Sequence, residues 1–132
     1  MIMWHKQVLR AAGNYLIFDQ KPVHADAVVV LFTGVEYYPR LLEAAELWRR
    51  EYVNQVVING NRKTDQLRAI EARGFEPCCP WYEDYIRILV LYGVPRDKII
   101  PISAEDVYDT TSEAEAVGPE LLRLGIDRIV LT

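Results

Sequence analysis

Asp26-Ala-Val-Val-Val-Leu-Phe-Thr-Gly34 is the stretch on which the reading of this chain turns. Ala27 to Leu31 are all apolar, mostly β-branched, and lead straight into a Thr-Gly turn. A half-buried strand alternates apolar and polar residues. An unbroken run suits a strand covered on both faces, as in parallel sheets. Leu41, Leu42, Ala45, Trp48 and Tyr52 then recur at steps of three and four with charges between them, which predicts a helix from about Pro39 to Tyr52. Strand, glycine turn and helix open a βαβ unit. The loop that closes such a strand lies where open α/β sheets hold their ligands.

Working toward the C-terminus, Gln55-Val-Val-Ile-Asn59 predicts a second strand ending in the turn Asn59-Gly60-Asn61. Thr64 is placed to cap a short helix through Arg73, using Leu67 and Ile70, which Gly74 stops. Pro80 opens a further helix with Trp81, Tyr85, Ile88, Leu89 and Tyr92 along one stripe, closed by Gly93-Val-Pro95. Lys98-Ile-Ile-Pro-Ile102 is a third strand, and Pro101, which cannot donate to a ladder, places it at an edge. An acidic loop over residues 103–110 leads to overlapping capping boxes, Thr110 with Glu113 and Ser112 with Glu115. The helix they start carries Ala114, Val117, Leu121 and Leu124 inward and is expected to kink or split at Gly118-Pro119. Residues 128–132 form a fourth strand. Toward the N-terminus, Trp4, Val8, Tyr15 and Phe18 share one face of an amphipathic helix over residues 3–18.

These elements predict one α/β domain over residues 1–132, with residues 1–20 as a helix packed on it. The architecture is a three-layer αβα, Rossmann-like sandwich around a mostly parallel sheet of at least four strands. The fourth strand stops at Thr132 with no element after it, so the C-terminal part of such a domain is expected to be missing. Read as an exposed end strand, it favours pairing with a second copy of the chain.

Composition narrows the function classes. With 132 residues and 51% apolar side chains the chain has room for one real core and is not disordered. A net charge of −4 argues against nucleic acid as a partner. No apolar run is long enough to cross a bilayer. Lys6, Gln7, Arg10 and Asn14 interrupt anything resembling a secretory h-region. Cys78 and Cys79 are adjacent, and neighbouring cysteines rarely bridge each other, so reduced thiols in a cytoplasmic protein are expected.

Parallel strands end on one side of their sheet, which brings several loops together. Thr33, Gly34 and Glu36 follow the first strand, Asn59, Gly60 and Asn61 the second. Glu105, Asp106, Asp109 and Thr110 follow the third, and Thr132 ends the fourth. Each loop alone is an ordinary polar turn. Together they predict a cleft for a polar small molecule. Arg40 opposes the helix dipole, so it needs an anion: a ligand's carboxylate or phosphate, or the side chain of Glu36 or Glu43. Glu105, Asp106 and Asp109 suit a divalent cation or a ribose hydroxyl, although helix capping and a solvated acidic loop are the commoner use of such residues at a helix start. No glycine-rich dinucleotide fingerprint, P-loop, zinc-helix motif or nucleophile elbow occurs. No catalytic set can be assembled.

Motif order carries a resemblance. Ala25-Asp26-Ala-Val-Val-Val-Leu with its glycine turn, Arg40-Leu41 and Glu43-Ala-Ala-Glu-Leu47 resemble the opening of the YdcF/SanA/ElyC family, a domain of unknown function. Gly93-Val-Pro95, Ile99-Ile100, Glu105, Asp109-Thr110 and Glu113-Ala114 resemble its second half, so residues 14–132 are covered. Phe32-Thr33-Gly34 stands where that family favours Leu-Gly-Gly, Asn59-Gly60-Asn61 where it has Ser-Gly-Gly, and Asp109 where Asn is common. Family members continue past the fourth strand to a His and an Arg pair. The resemblance implies a soluble YdcF-like domain with S-adenosylmethionine as one cofactor candidate; the acidic loop makes a divalent cation the other. The expected activity is binding of an anionic or nucleotide-type small molecule through Thr33, Gly34, Glu36, Arg40, Asn59, Gly60, Asn61, Glu105, Asp109, Thr110 and Thr132. Two alternatives stand beside it: a non-catalytic regulatory module of envelope biogenesis, and a metal-dependent hydrolase using the acidic loop.

Overall fold

The computed structural model describes residues 2–4, 17–18, 24–33 and 36–132. In chain order the elements are β1 (Ile2–Trp4), β2 (Ile17–Phe18), β3 (Ala25–Val30), α1 (Tyr37–Arg49) and β4 (Val53–Gly60). Then come α2 (Asp65–Ala72), α3 (Glu83–Leu91), a 3-10 turn (Arg96–Lys98), β5 (Ile99–Ser103), α4 (Thr110–Arg123) and β6 (Ile129–Leu131). One sheet in the order β2-β1-β6-β3-β4-β5 joins the strands. β6, β3, β4 and β5 are mutually parallel, while β1 runs antiparallel to both β6 and β2.

The apolar run at residue 26 becomes β3, in the parallel core of the sheet, and its side chains alternate between two cores. Val28 and Val30, with Val56 and Ile58 of β4, pack against Leu41, Ala44 and Ala45 of α1 and Ile86 and Leu89 of α3. Ala27, Val29 and Val57 face the other way, onto Val117 and Leu121 of α4. Helices therefore cover both faces, which gives the three-layer sandwich and explains the unbroken valines.

Local signals are obeyed where they are strong. Thr64 caps α2 by accepting from Leu67 N at 3.1 Å. Gly93, at a positive φ of 100°, ends α3, and the next amide, Val94 N, returns to Leu89 O at 3.0 Å. Pro101 does lie on an edge strand, β5.

Three expectations are corrected. The ends of the helix expected over residues 3–18 are strands, Ile2–Trp4 and Ile17–Phe18, and residues 5–16 lie outside the described residues. The backbone of β6 has a second side to satisfy beyond β3, and β1 fills it through the register Ile2↔Leu131 to Trp4↔Ile129. For the same reason β6 is not an exposed end strand but lies between β1 and β3. Finally, α4 runs through Gly118 and Pro119 as a single helix rather than splitting. Its buried Val117 and Leu121, on either side of that pair, hold it to the sheet.

The layered core sets a sharp contrast between two leucines. Leu41 is wholly buried beneath β3 and β4, whereas Leu91 at the end of α3 is 80% exposed. Leu41→Ala is expected to lower unfolding free energy by about 2–5 kcal/mol. Leu91→Ala should stay within about 0.5 kcal/mol of wild type in the same urea titration. Equal losses would contradict this assignment of the core.

Candidate functional site

Strand order fixes where a site belongs. From β3 the chain moves outward to β4 and β5, then returns past β3 to β6. The winding direction thus reverses at β3, and in open α/β sheets ligands bind at the carboxyl ends of the strands beside such a reversal. The loop at that point, Leu31 to Thr33, is gripped from both sides.

The first grip comes from Glu113 in the first turn of α4. Its carboxylate is 1% exposed and accepts from Phe32 N at 2.6 Å, Thr33 N at 3.2 Å and Thr33 Oγ1 at 2.8 Å. A buried carboxylate is tolerable only with such partners. The second grip is Arg40 of α1, whose Nη1 donates to the carbonyls of Leu31 (2.8 Å) and Thr33 (2.7 Å). Arg40 therefore resolves its place at a helix start through backbone oxygens, not through Glu36 or Glu43. Glu36 is the exposed N-cap of α1, and its side chain makes no capping bond.

Why Glu113 is free to do this lies one residue earlier than the sequence suggests. Asp109, not Thr110, caps α4: its carboxylate accepts from Ser112 N at 2.7 Å, and Ser112 Oγ accepts from Asp109 N at 3.0 Å. The Ser112 amide bond holds the Asp109 carboxyl below the usual carboxylate range. Thr110 becomes an exposed first-turn residue. Glu113, expected to close a capping box with Thr110, instead turns toward β3. It was not among the expected site residues. The signal that could have found it is an acid in the first turn of the helix that returns across the reversal point.

Asn59 at the end of β4 is fully buried. Its Nδ2 donates to Val30 O at 2.9 Å, tying β4 to the end of β3, while Oδ1 has no hydrogen-bond partner among the described residues. Thr132, just past β6, pairs its backbone with Val29 and Leu31, and its Oγ1 is likewise buried without a partner among the described residues. β3 thus has a spare buried acceptor or hydroxyl on either side of its C-terminal end. Gly34 lies outside the described residues.

Aromatic rings wall the β4 side. Tyr37 stands edge-on to Phe32 and Tyr85, with centroids 5.8 and 4.8 Å away, and its hydroxyl makes a long 3.5 Å contact with Asn59 O. Burial, with Tyr85 and Glu113 adding to it, pushes the Tyr37 hydroxyl far above the ordinary tyrosine range, so it stays neutral. Gly60 lies against a ring: a Cβ there would sit 3.0 Å from Trp81 Cζ3, so the indole would have to shift. Trp81 and Tyr82 pack edge-to-face at 5.5 Å. Asn61 adopts a left-handed φ of 73° and donates to Ser103 Oγ at 3.0 Å, linking the turns after β4 and β5.

The acidic loop forms a separate group. Arg68 of α2 lies 2.8 Å from Asp106 and 3.7 Å from Glu105, and Lys63 pairs with Glu71 at 2.6 Å. Glu105, Asp106 and Asp109 therefore face α2 and the helix cap. Among the described residues no three His, Cys, Asp or Glu side chains gather as a metal site. No helix among them is long and apolar enough to cross a membrane.

Comparison with known proteins yields no matching family model, no matching curated protein and no matching solved structure. The fold and this site therefore stand on their own geometry.

Glu113 gives a direct test. Glu113→Gln keeps the shape but sets an NH2 against backbone N–H donors, and is expected to cost about 1–3 kcal/mol by chemical denaturation. Glu115→Gln, on an exposed position of the same helix, should change little. A Glu113→Gln protein as stable as wild type would mean that the carboxylate does not hold the loop.

Proposed function

We propose that this chain is a YdcF-like domain that binds an anionic or nucleotide-type small molecule, S-adenosylmethionine-like compounds included, at the C-terminal ends of β3, β4 and β6. The observation that carries this reading is the pair of buried polar atoms, Asn59 Oδ1 and Thr132 Oγ1, that have no partner among the described residues and lie on either side of β3 where the winding reverses. Buried polar atoms without partners are costly, and a ligand's hydroxyl or amino group is the natural partner for a spare acceptor. Phe32, Tyr37 and Trp81 offer ring faces and edges to a base or similar group.

The anion-holding role falls on Arg40 more than on Thr33. Glu113 already occupies the Thr33 amide and hydroxyl, as a ligand's carboxylate or phosphate would. Arg40 Nη1 is taken by the Leu31 and Thr33 carbonyls, so an anion would meet the remaining donors of its guanidinium. A cytoplasmic setting suits two exposed free thiols, Cys78 and Cys79.

Thermal unfolding with S-adenosylmethionine, nucleotides, sugar nucleotides and divalent cations tests the reading. A ligand at a hundredfold its Kd adds about 2.7 kcal/mol of stability. At least one anionic or nucleotide-type compound should stabilise the protein. Titration calorimetry on folded Asn59→Ala and Arg40→Ala proteins should show its affinity falling about tenfold or more, equivalent to about 1.4 kcal/mol. No response in the panel, or a response indifferent to both substitutions, would sink it. Stabilisation by Mg²⁺, Mn²⁺ or Ca²⁺ that Asp109→Ala removes would instead favour metal-dependent hydrolysis at the acidic loop.

A further inference from the structure

Away from the strand-end cleft, the segment Pro77-Cys78-Cys79-Pro80 joins α2 to α3. Both cysteines are free and exposed, and their sulfurs face each other in contact. They line an open groove of about 380 Å³ together with Asn61, Pro77, Pro80 and Trp81. The two prolines stiffen this short stretch. Pro77 fixes its own φ, Pro80 disfavours helical backbone at Cys79, and the chain bends at both cysteines.

Two thiols held this close can join each other or share a third atom. Joining is disfavoured. Adjacent Cα atoms across a trans peptide are about 3.8 Å apart, shorter than the range of about 4.4–6.8 Å that disulfides take, so the bond would be strained and easily reduced. Sharing a soft atom needs no sulfur–sulfur bond. A transition metal would look for three or four protein ligands, and among the described residues no such group exists. A trivalent metalloid needs only two sulfurs, because it carries its own third substituent.

We propose that Cys78 and Cys79 form a chelating dithiol site for trivalent arsenicals, with the groove beside Trp81 receiving the substituent on arsenic. In the reaction each thiol gives up its proton and each sulfur displaces one hydroxyl from the hydrated arsenical. Two As–S bonds form, two As–O bonds break and two waters leave. Arsenic stays trivalent throughout, so no oxidant or reductant is needed. The Cys78 sulfur, with Asp84 and Glu83 adding to it, holds the Cys79 thiol above its ordinary range.

Phenylarsine oxide is the probe. Incubation with the full chain should add one phenylarsenic group by intact mass, remove both titratable thiols and lower tryptophan emission. The adduct should survive excess glutathione, a monothiol, and be stripped by dithiothreitol. Cys78→Ser and Cys79→Ser, both at exposed positions, should each lose the glutathione-resistant adduct while keeping the wild-type circular dichroism spectrum. Should either variant fail to fold, wild-type protein with thiols blocked by iodoacetamide takes its place and should bind none. A glutathione-resistant adduct on a single-serine variant or on blocked protein would overturn the proposal. So would an adduct that glutathione removes from wild type, or protein purified with Cys78 and Cys79 already joined as a disulfide.

Discussion

The carboxylate of Glu113 is the interaction on which the upper end of the sheet depends. It reaches across more than eighty residues of sequence to take three hydrogen-bond donors from Phe32 and Thr33. Arg40 takes the carbonyls of Leu31 and Thr33 in the same loop. Residues 31–33 follow a buried strand and have lost most of their ladder partners, so their backbone groups must be satisfied otherwise. One acid and one base from helices on opposite faces of the sheet do so. The loop thus becomes a rigid piece of the fold, and α1 and α4 are registered to each other through it.

Much of the fold was legible because single residues decide it. The continuous valines required cover on both faces, Thr64 and Gly93 ended helices where they stand, and Pro101 could occupy only an edge. What was not legible depended on partners distant in sequence. Ile2–Trp4 reads as part of an amphipathic helix until β6 presents a backbone edge to be paired. Pro119 reads as a break, yet the packing of Val117 and Leu121 on the sheet carries the helix through it. The site was legible as a place and not as a set of contacts. The convergence of the loops follows from parallel strands, and Asn59 and Thr132 stand there with atoms to spare. Glu113 escaped because a local rule, the capping box, accounted for it fully.

The same rule explains how the expected cleft divides. Glu105 and Asp106 lie near the strand ends in sequence, but Arg68 on α2 draws them to one side. Asp109 is drawn to the helix start by the Ser112 amide. Those exposed acids pair at the rim, whereas the wholly buried Glu113 meets the loop after β3 and shapes the centre of the fold.

The position of β6 bears on how the chain assembles over time. Its neighbours, β1 and β3, are both synthesised long before it. β3, β4 and β5 with their helices can gather as an early parallel unit, but β1 has no partner on that unit until β6 has been made. The closing step is therefore a contact of very high sequence separation, the kind that slows folding. On the ribosome, a growing chain would hold its first strand against β2 alone until β6 had emerged.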